Sequence, residues 1–220
     1  MTYTGQVSVG GPPDTREIDG LVVTKIAVGP MDNNAYLLRC ASTGQGILID
    51  AANEAGRLIE MIGETPVGMI VTTHRHADHW QALPEVAEHT GAEVVAHSAD
   101  ADYLPVPVTR RAEHGEVLRF GDVAVSLIHL RGHTPGSIAV LYQAGGRLAD
   151  GPHVFTGDSL FPGGVGKTNS PADFTSLLTD VTERLFTPLP DATWVYPGHG
   201  HDTTLGVERP HLAEWRARGW

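Results

Sequence analysis

Short apolar runs with the spacing of strands alternate with helical patterns along the first part of this chain. The runs are Leu21 to Val28, Ala35 to Cys40 and Gly46 to Asp50, and a helical pattern follows from Ala55 to Ile62. Continuous apolar runs of this length predict strands that are buried on both faces. Strands that alternate with helices predict an α/β fold built in layers.

The remaining chain extends this alternation and adds a stretch of strands alone. Glu116 to Tyr142 predicts consecutive strands that are broken by turns and have no helices between them. The other predicted elements are strands at Gly68 to Thr73, Glu93 to Ala96, His153 to Thr156 and Thr193 to Tyr196, and helices at Gln81 to His89, from Pro171 to Leu185 with Ser170 as cap, and from about Gly206 onward. Two halves of similar content predict a four-layered αββα sandwich, in which two sheets pack between outer helices.

The length of the chain and its first residues predict one domain preceded by an arm. Residues 1–20 are rich in Gly, Pro and Thr, which is typical of an arm or an edge strand. Residues 21–220 then form a single domain. A chain of 220 residues buries roughly 70% of its unfolded surface, so its core needs neither a disulfide nor a structural metal. Any bound metal is therefore free to serve chemistry.

The charge balance argues against several classes of partner. The 15 Lys and Arg residues are outnumbered by 26 Asp and Glu, for a net charge of -11, which excludes nucleic acid and leaves a small molecule as the expected partner. No run of apolar residues is long enough to span a membrane, and the N-terminus has no apolar signal segment. Cys40 is the single cysteine, so no intrachain disulfide or thiolate metal cluster can form. We expect a cytoplasmic protein, either a monomer or a homodimer.

Four residues of metal-ligand type follow the strand predicted to end at Thr73. They are His74, His76, Asp78 and His79, in the segment T-H-R-H-A-D-H-W. Imidazole and carboxylate are common ligands of transition metals. An irregular loop can direct two imidazoles to one ion and the other pair to a second ion. This segment therefore predicts a metal site.

Three further polar residues also follow predicted strands. They are His133, Asp158 and His199. Together with the histidine segment they place polar side chains at four strand ends, which can meet at one edge of the fold. In layered α/β proteins ligands usually bind at such an edge, because its loops carry polar groups on a rigid support.

The motifs occur in the order of a known superfamily. They are His-x-His-x-Asp-His from His74 to His79, Gly132-His133-Thr134-Pro135-Gly136-Ser137, Thr156-Gly157-Asp158-Ser159-Leu160 and Pro197-Gly198-His199. With Asp32-Asn33-Asn34-Ala35-Tyr36 and the strand ending at Asp50, the match runs from about Val23 to the end of the chain. In these motifs the chain resembles the metallo-β-lactamase superfamily, which implies the metallo-β-lactamase fold.

The resemblance also implies a ligand set and a reaction. His74, His76 and His133 would hold one divalent ion, Asp78, His79 and His199 a second, and Asp158 would bridge the two. Zinc is the favoured metal, with iron or manganese as alternatives. Such a pair would hold a bridging hydroxide and polarise a carbonyl or phosphoryl oxygen, which predicts metal-dependent hydrolysis. Asp78 would also act in catalysis, by orienting the nucleophile or by passing a proton to the leaving group.

Within this superfamily the chain most resembles the hydroxyacylglutathione hydrolase, or type two glyoxalase, branch. The resemblance rests on Asn33-Asn34-Ala35-Tyr36, Asp158 and Pro197-Gly198-His199. Two features depart from that branch. The chain ends at Trp220, where the glutathione enzyme has a helical segment that supplies much of its thiol-substrate site. The loop after Asp158 reads Gly-Val-Gly-Lys-Thr-Asn in place of the arginine-bearing Gly-Cys-Gly-Arg.

We therefore expect cleavage of a small thioester, with a lactone or other ester-like bond second and a β-lactam disfavoured. Lys167 is a candidate contact for an acidic group of the substrate. One alternative is a persulfide dioxygenase that uses a single iron at His74, His133 and Asp158. Another alternative is a non-catalytic binding protein, in which the metals only stabilise the structure.

The other candidate residues are expected to be structural or solvated. Ser137 lacks the Gly-x-Ser-x-Gly elbow of a serine nucleophile and is expected to shape its turn. Seven histidines lie outside the ligand set: His89, His97, His114, His129, His153, His201 and His211.

Overall fold

The structure is a computed structural model, and it describes residues 3–143 and 151–219. The strands are β1 Asp14–Ile18, β2 Leu21–Val28, β3 Asn33–Cys40, β4 Gly46–Ile49, β5 Val67–Val71, β6 Glu93–His97, β7 Arg110–Ala112, β8 Val117–Phe120, β9 Val123–His129, β10 Ile138–Tyr142, β11 His153–Gly157, β12 Leu160–Phe161, β13 Gly164–Val165, β14 Trp194–Pro197 and β15 Thr203–Thr204. The α-helices are α1 Ala55–Ile62, α2 Leu83–Thr90, α3 Pro171–Val181, α4 Leu205–Glu208 and α5 Leu212–Arg218.

The first sheet contains seven strands in the order β1-β2-β3-β4-β5-β6-β7. Its first four strands are antiparallel, whereas β4 to β7 run parallel to one another. The helices α1 and α2 connect parallel strands and cover one face of this sheet. Leu58 of α1 and Leu83 of α2 are fully buried there with Leu48 and Ile70 of the sheet.

The second sheet contains six strands in the order β15-β14-β11-β10-β9-β8. The strands β8 to β11 form an antiparallel meander, and β11 and β14 pair in parallel. The helices α3 and α5 cover the outer face of this sheet, where Leu177 and Trp215 pack with Val154 and Val195. The short strands β12 and β13 form a separate hairpin.

A third apolar cluster lies between the two sheets. Val71 of the first sheet packs there with Leu127, Ile138 and Phe155 of the second. The inner faces of the two sheets pack against each other, and helices cover the outer faces. Both faces of each sheet therefore contribute to buried apolar clusters, as the continuous apolar runs predicted. The layers follow the order helix, sheet, sheet, helix, which confirms the predicted αββα sandwich.

The predicted elements differ from the structure mainly at helix ends. The helix predicted from Pro171 to Leu185 ends at Val181, and a π-helical turn continues from Thr182 to Phe186. Ser170 caps α3 as expected, since its hydroxyl accepts a hydrogen bond from the Asp173 amide. The prediction of a single terminal helix was wrong. It is divided into α4 and α5 by a 3-10 turn that contains Pro210, which lacks the amide hydrogen of a regular helical residue.

The N-terminal segment includes one strand on the edge of the first sheet. β1 pairs with β2 from Asp14↔Lys25 to Ile18↔Leu21. The division into an arm and a domain at residue 20 stays a prediction. Among residues 3–143 and 151–219, no helix combines the length and the apolar character needed to cross a bilayer.

Candidate metal centre

The predicted ligand residues meet where strands of both sheets end. The segment from His74 to His79 follows β5, and its last three residues form one 3-10 turn, Ala77–His79. His133 lies on the loop between β9 and β10, Asp158 follows β11 and His199 follows β14. The two packed sheets therefore hold four loops against one another at a single edge.

The first group of ligands consists of three histidines. His76 Nδ1 lies 2.9 Å from His133 Nε2, and His133 Nε2 lies 3.3 Å from His74 Nε2. All three ligand atoms are within 4.8 Å of one another. His74 and His133 are buried, whereas His76 is partly exposed, so this group is open to solvent on one side.

The second group consists of one carboxylate and two histidines. His79 Nε2 lies 3.1 Å from His199 Nε2, and Asp78 Oδ2 lies 3.5 Å from the first and 3.4 Å from the second. Asn33 Nδ2 donates a hydrogen bond to the same Asp78 oxygen at 2.8 Å. Asn33 therefore fixes the orientation of the one carboxylate in this group.

Asp158 lies between the two groups. Its Oδ2 is 3.6 Å from His133 Nε2 of the first group and 3.5 Å from His199 Nε2 of the second, and its Oδ1 is 3.3 Å from His79 Nε2. Asp158 Oδ1 is buried and has no hydrogen bond among the described residues. A buried carboxylate oxygen without a partner is costly, so its position fits a cation held between both groups.

The outer ring nitrogens of three ligands face hydrogen-bond acceptors. His79 Nδ1 lies 2.8 Å from Asp50 Oδ2, His199 Nδ1 lies 2.8 Å from the Met31 carbonyl oxygen, and His133 Nδ1 lies 2.7 Å from the Lys167 carbonyl oxygen. Each acceptor places the proton of a neutral imidazole on Nδ1. The inward Nε2 atoms of these rings then carry lone pairs.

Lone pairs that face one another at hydrogen-bond distance repel. In the neutral form of the rings, which metal binding requires, this is the arrangement at His79 Nε2 and His199 Nε2, which are 3.1 Å apart. A metal ion between them removes the repulsion, and the acceptors behind the rings are the partners that metal-binding histidines commonly have. The donor set of imidazoles and carboxylates thus fits divalent metal ions.

The local electrostatics also favour positive charge at the second group. Burial lowers the pKa of His79, but the carboxylates of Asp50 and Asp158 outweigh it and raise the pKa to about 10. For Asp78, the hydrogen bond with His199 outweighs burial and lowers the pKa of the carboxyl. Burial dominates at His74 and holds its pKa well below the ordinary value. A cation at the second group is therefore stabilised by carboxylates that stay ionised.

Glycines allow the loops to approach the ligands closely. A Cβ on Gly198 would lie 2.2 Å from Asp158 Oδ1 and 2.8 Å from His79 Cε1, and a Cβ on Gly166 would lie 1.8 Å from the Asp158 carbonyl oxygen. Neither position has room for a side chain. The glycine of the Pro-Gly-His motif is therefore explained by the lack of space beside Asp158.

Asp100 ties the loop of His74 and His76 to the loop of His133, and sequence reasoning missed it. It is fully buried. Its Oδ2 accepts hydrogen bonds from the Arg75 amide at 3.1 Å and from the Thr134 hydroxyl at 2.5 Å, and its Oδ1 accepts one from the Gly136 amide at 3.0 Å. Asp100 follows β6 without a recognisable motif, so only the packing of the strands identifies this role.

Lys167 lies at the rim of the site. Its side chain is exposed and lines a cavity of about 350 Å³ together with Val165, Phe174 and Arg218. Its backbone carbonyl, which the sequence did not single out, contacts the first group through His133. A substrate contact for the Lys167 ammonium stays a prediction.

The remaining candidates lie outside the ligand groups. His97 stacks on His129 with ring centroids 3.8 Å apart, and His153 contacts the Tyr196 hydroxyl at 3.0 Å. Ser137 is buried, and its hydroxyl accepts a hydrogen bond from the Thr134 amide at 3.1 Å, as a turn residue would. The described part of the chain contains three overlapping groups that could hold a metal, and His89, His97, His114, His129, His153, His201 and His211 belong to none of them.

Comparison with known proteins identifies relatives of this chain in sequence and in structure. Residues 28–199 match the metallo-beta-lactamase superfamily. The hydroxyacylglutathione hydrolase GloC of Haemophilus influenzae is 30% identical over 183 residues, which cover 74% of this chain and 83% of that protein.

Three solved structures are similar in fold over most of the chain. BLEG-1 B3 metallo-beta-lactamase has a TM-score of 0.77 and 27% identity, and the match covers 86% of this chain and 97% of that one. ETHE1 from Myxococcus xanthus has a TM-score of 0.73 and 29% identity, with coverage of 86% and 82%. TTHA1623, solved in a di-iron-bound form, has a TM-score of 0.70 and 32% identity, with coverage of 84% and 96%. With the fold, the ligand groups and the match over residues 28–199, this chain belongs to the metallo-β-lactamase superfamily.

Proposed function

We propose that this protein is a metal-dependent hydrolase that cleaves a small thioester. The observation that carries the proposal is the position of Asp158, whose carboxylate faces His133 of the first group and both His79 and His199 of the second. Such an arrangement suits two divalent ions, with zinc proposed first and iron or manganese as alternatives. The relationship to a hydroxyacylglutathione hydrolase supports the thioester, and a lactone is the next candidate.

Bound divalent ions would activate water for attack and polarise the carbonyl of the substrate. The ions would be held by His74, His76 and His133 in the first group, by Asp78, His79 and His199 in the second, and by Asp158 between them. In the overall reaction water adds to the carbonyl carbon, the carbon–sulfur bond breaks, and the products are a carboxylic acid and a thiol.

We assign the proton transfer to the Asp78 carboxylate. Its side chain is 21% exposed, so it lies at the open side of the second group, whereas Asp158 is 13% exposed. Asn33 Nδ2 donates a hydrogen bond to Asp78 Oδ2 at 2.8 Å, which holds the carboxylate beside His79 and His199. Asp78 would accept the proton of the attacking water and deliver it to the sulfur of the leaving thiol.

A panel of thioesters, lactones, phosphodiesters and β-lactams tests the proposed bond. The metal-loaded protein is expected to release thiol from at least one hydroxyacyl thioester, and Asp78→Ala is expected to lower kcat by about 100-fold or more. Asp102→Ala is a matched control, because Asp102 is an exposed carboxylate paired with Arg111 away from the ligand groups. Unchanged turnover in Asp78→Ala would contradict the proton transfer assigned to Asp78. No turnover of any substrate in the panel would support a binding protein whose metals only stabilise its structure.

A mono-iron persulfide dioxygenase is the second candidate function. It is favoured by the cluster around His133 Nε2, which lies 3.3 Å from His74 Nε2 and 3.6 Å from Asp158 Oδ2. Oxygen uptake with a persulfide, measured beside thiol release from thioesters, separates the two functions. His199→Ala is expected to abolish the hydrolase, whereas an iron enzyme that uses only the three residues named for it would retain activity in that variant.

A further inference from the structure

A buried lysine lies behind the loop that carries His199. Lys25, on β2, is 0% exposed. Its ammonium donates hydrogen bonds to the Gly5 carbonyl at 2.7 Å, to the Gly200 carbonyl at 2.8 Å and to Asp202 Oδ1 at 2.6 Å. The three donors of the ammonium are thus all used, as a buried charge requires.

Two of these contacts fix the turn that follows His199. Gly200, with a φ of 69°, and Asp202 lie between β14 and β15. Asn34 Nδ2 adds hydrogen bonds to the Gly200 carbonyl at 3.0 Å and to the Pro197 carbonyl at 2.9 Å. The backbone on both sides of His199 is therefore held from β2 and β3, which do not themselves carry a ligand.

Asp202 is held on its other side by two aromatic residues. Its Oδ2 accepts hydrogen bonds from the Tyr3 hydroxyl at 2.7 Å and from Trp194 Nε1 at 2.9 Å. With Gly5 bound to Lys25, two residues of the N-terminal segment contact this network. The segment before β1 is therefore connected to the His199 loop through a buried ion pair.

We propose that Lys25 is a positioning residue for the second metal-ligand group, acting with Asp202 and the N-terminal residues Tyr3 and Gly5. The Lys25 ammonium sets the path of the chain through Gly200, and that path sets where His199 Nε2 meets His79 Nε2. The inference rests on the proposed two-metal site and is independent of the bond that is hydrolysed. It gives Tyr3 and Gly5 a role in the site, which their sequence alone does not indicate.

Metal binding by Lys25→Met tests this role directly. The probe is Zn²⁺ alone, titrated into chelator-treated protein in competition with a chromophoric chelator, and Co²⁺ absorption gives a separate signal for the coordination of each ion. The variant is expected to bind the first ion as the wild type does and the second at least about 10-fold more weakly, the range seen when outer partners of a metal ligand are lost.

Arg209→Met is the matched control for the loss of a partly buried cation. Arg209 resembles Lys25 in its contacts, since it donates to the Phe186 and Leu189 carbonyls and to Asp191, but none of these lies in a ligand loop. It is expected to lower the thermal midpoint without changing either metal affinity. Equal weakening of the second ion by both variants would overturn the proposal, because the effect would then follow from general destabilisation.

Asp202→Asn is the second variant, and it decides the question if Lys25→Met does not fold. It keeps the size of the side chain and removes the ion pair, and we expect the second ion to bind several-fold more weakly. Wild-type affinity for both ions in either folded variant would overturn the proposal. Failure of both variants to fold would also overturn it, by assigning the pair to the fold as a whole. A wild-type protein that binds two ions but cleaves no thioester would contradict the proposed function alone.

Discussion

The carboxylate of Asp50 lies 2.8 Å from Nδ1 of His79, and both side chains are almost fully buried. Asp50 directly follows β4 and has a φ of 57°, a conformation that is uncommon for a residue with a side chain. It also accepts hydrogen bonds from the Thr73 amide and hydroxyl, each at 2.7 Å. One carboxylate therefore orients a candidate ligand of the second group and anchors the start of the loop that carries four candidate ligands.

Asp50→Asn is expected to weaken metal binding at the second group by about 10- to 100-fold. The charge behind the ring makes His79 a stronger ligand, and an amide cannot replace that charge. Titration with Zn²⁺ measures the two affinities separately. An equal affinity of wild type and variant for the second ion would show that the contact between Asp50 and His79 does not support the site.

Gly198→Ala is expected to abolish binding of the second ion. The added methyl group would lie 2.2 Å from Asp158 Oδ1, so the carboxylate or the loop must move. Gly56→Ala is the control, since Gly56 is an exposed residue of α1 with no atom near its Cβ position, and it is expected to stabilise the protein by about 0.5–1 kcal/mol. A Gly198→Ala protein with two tightly bound ions would contradict the close approach of Gly198 to Asp158.

Asp180 is expected to stabilise the protein at neutral pH and to lose this effect in acid. It lies in α3, and its carboxylate accepts hydrogen bonds from the Arg131 amide and guanidinium at 2.7 to 2.9 Å. Burial raises the pKa of Asp180, but the hydrogen bonds with Arg131 outweigh it and leave the pKa below its ordinary value. The folded state therefore favours the ionised form, which contributes stability above the pKa of the unfolded chain and loses it as the pH falls through the lower folded-state pKa.

Urea unfolding of metal-free Asp180→Asn measures this contribution. We expect the variant to be about 2 kcal/mol less stable than the wild type at pH 7, the size of a charge-assisted hydrogen-bond loss. The difference is expected to shrink as the pH falls from about 4, the ordinary pKa of the carboxyl in the unfolded chain, through the lower pKa of the folded state. A difference that stays constant from pH 7 to pH 3 would contradict the assignment to the ionised carboxylate.

Removal of metal is expected to abolish turnover without unfolding the protein. The three apolar clusters that hold the sheets and helices together are buried without using any ligand side chain. Far-UV circular dichroism should stay unchanged after chelation, while the free energy of unfolding falls by about 2.7 kcal/mol for each bound ion, relative to protein with metal at 100 times its dissociation constant. Unfolding by chelator at 25 °C would mean that the metals are structural.

The sequence predicted the parts of this protein that depend on local patterns. The bounds of β2 and α1 are those expected from apolar runs and helical spacing, and the four ligand-type residues between His74 and His79 indicated a metal site. These features depend on residues that are close together in the sequence, so a local sequence pattern can predict them. The end of α3 was predicted too late, since the π-helical turn after Val181 continues the same apolar spacing.

The supporting residues could not be predicted because they depend on the pairing of distant segments. Lys25 meets Asp202 across 177 positions, and Asp100 meets Thr134 across 34. Neither acid belongs to a motif. Lysine side chains are mostly exposed in proteins, so the sequence alone gives no reason to expect that Lys25 is buried. Only the register of β2 beside β3, and of β6 beside its neighbours, brings these side chains to the ligand loops.

We propose that two metal ions, held by both ligand groups, act together in hydrolysis of a thioester. Thiol release can be measured while metal-free protein is titrated with Zn²⁺ and bound metal is counted by elemental analysis. We expect activity to rise steeply only as the second equivalent binds, and no oxygen to be consumed with a persulfide. Full activity at one equivalent of metal, or oxygen uptake by a one-iron form that cleaves no thioester, would contradict it.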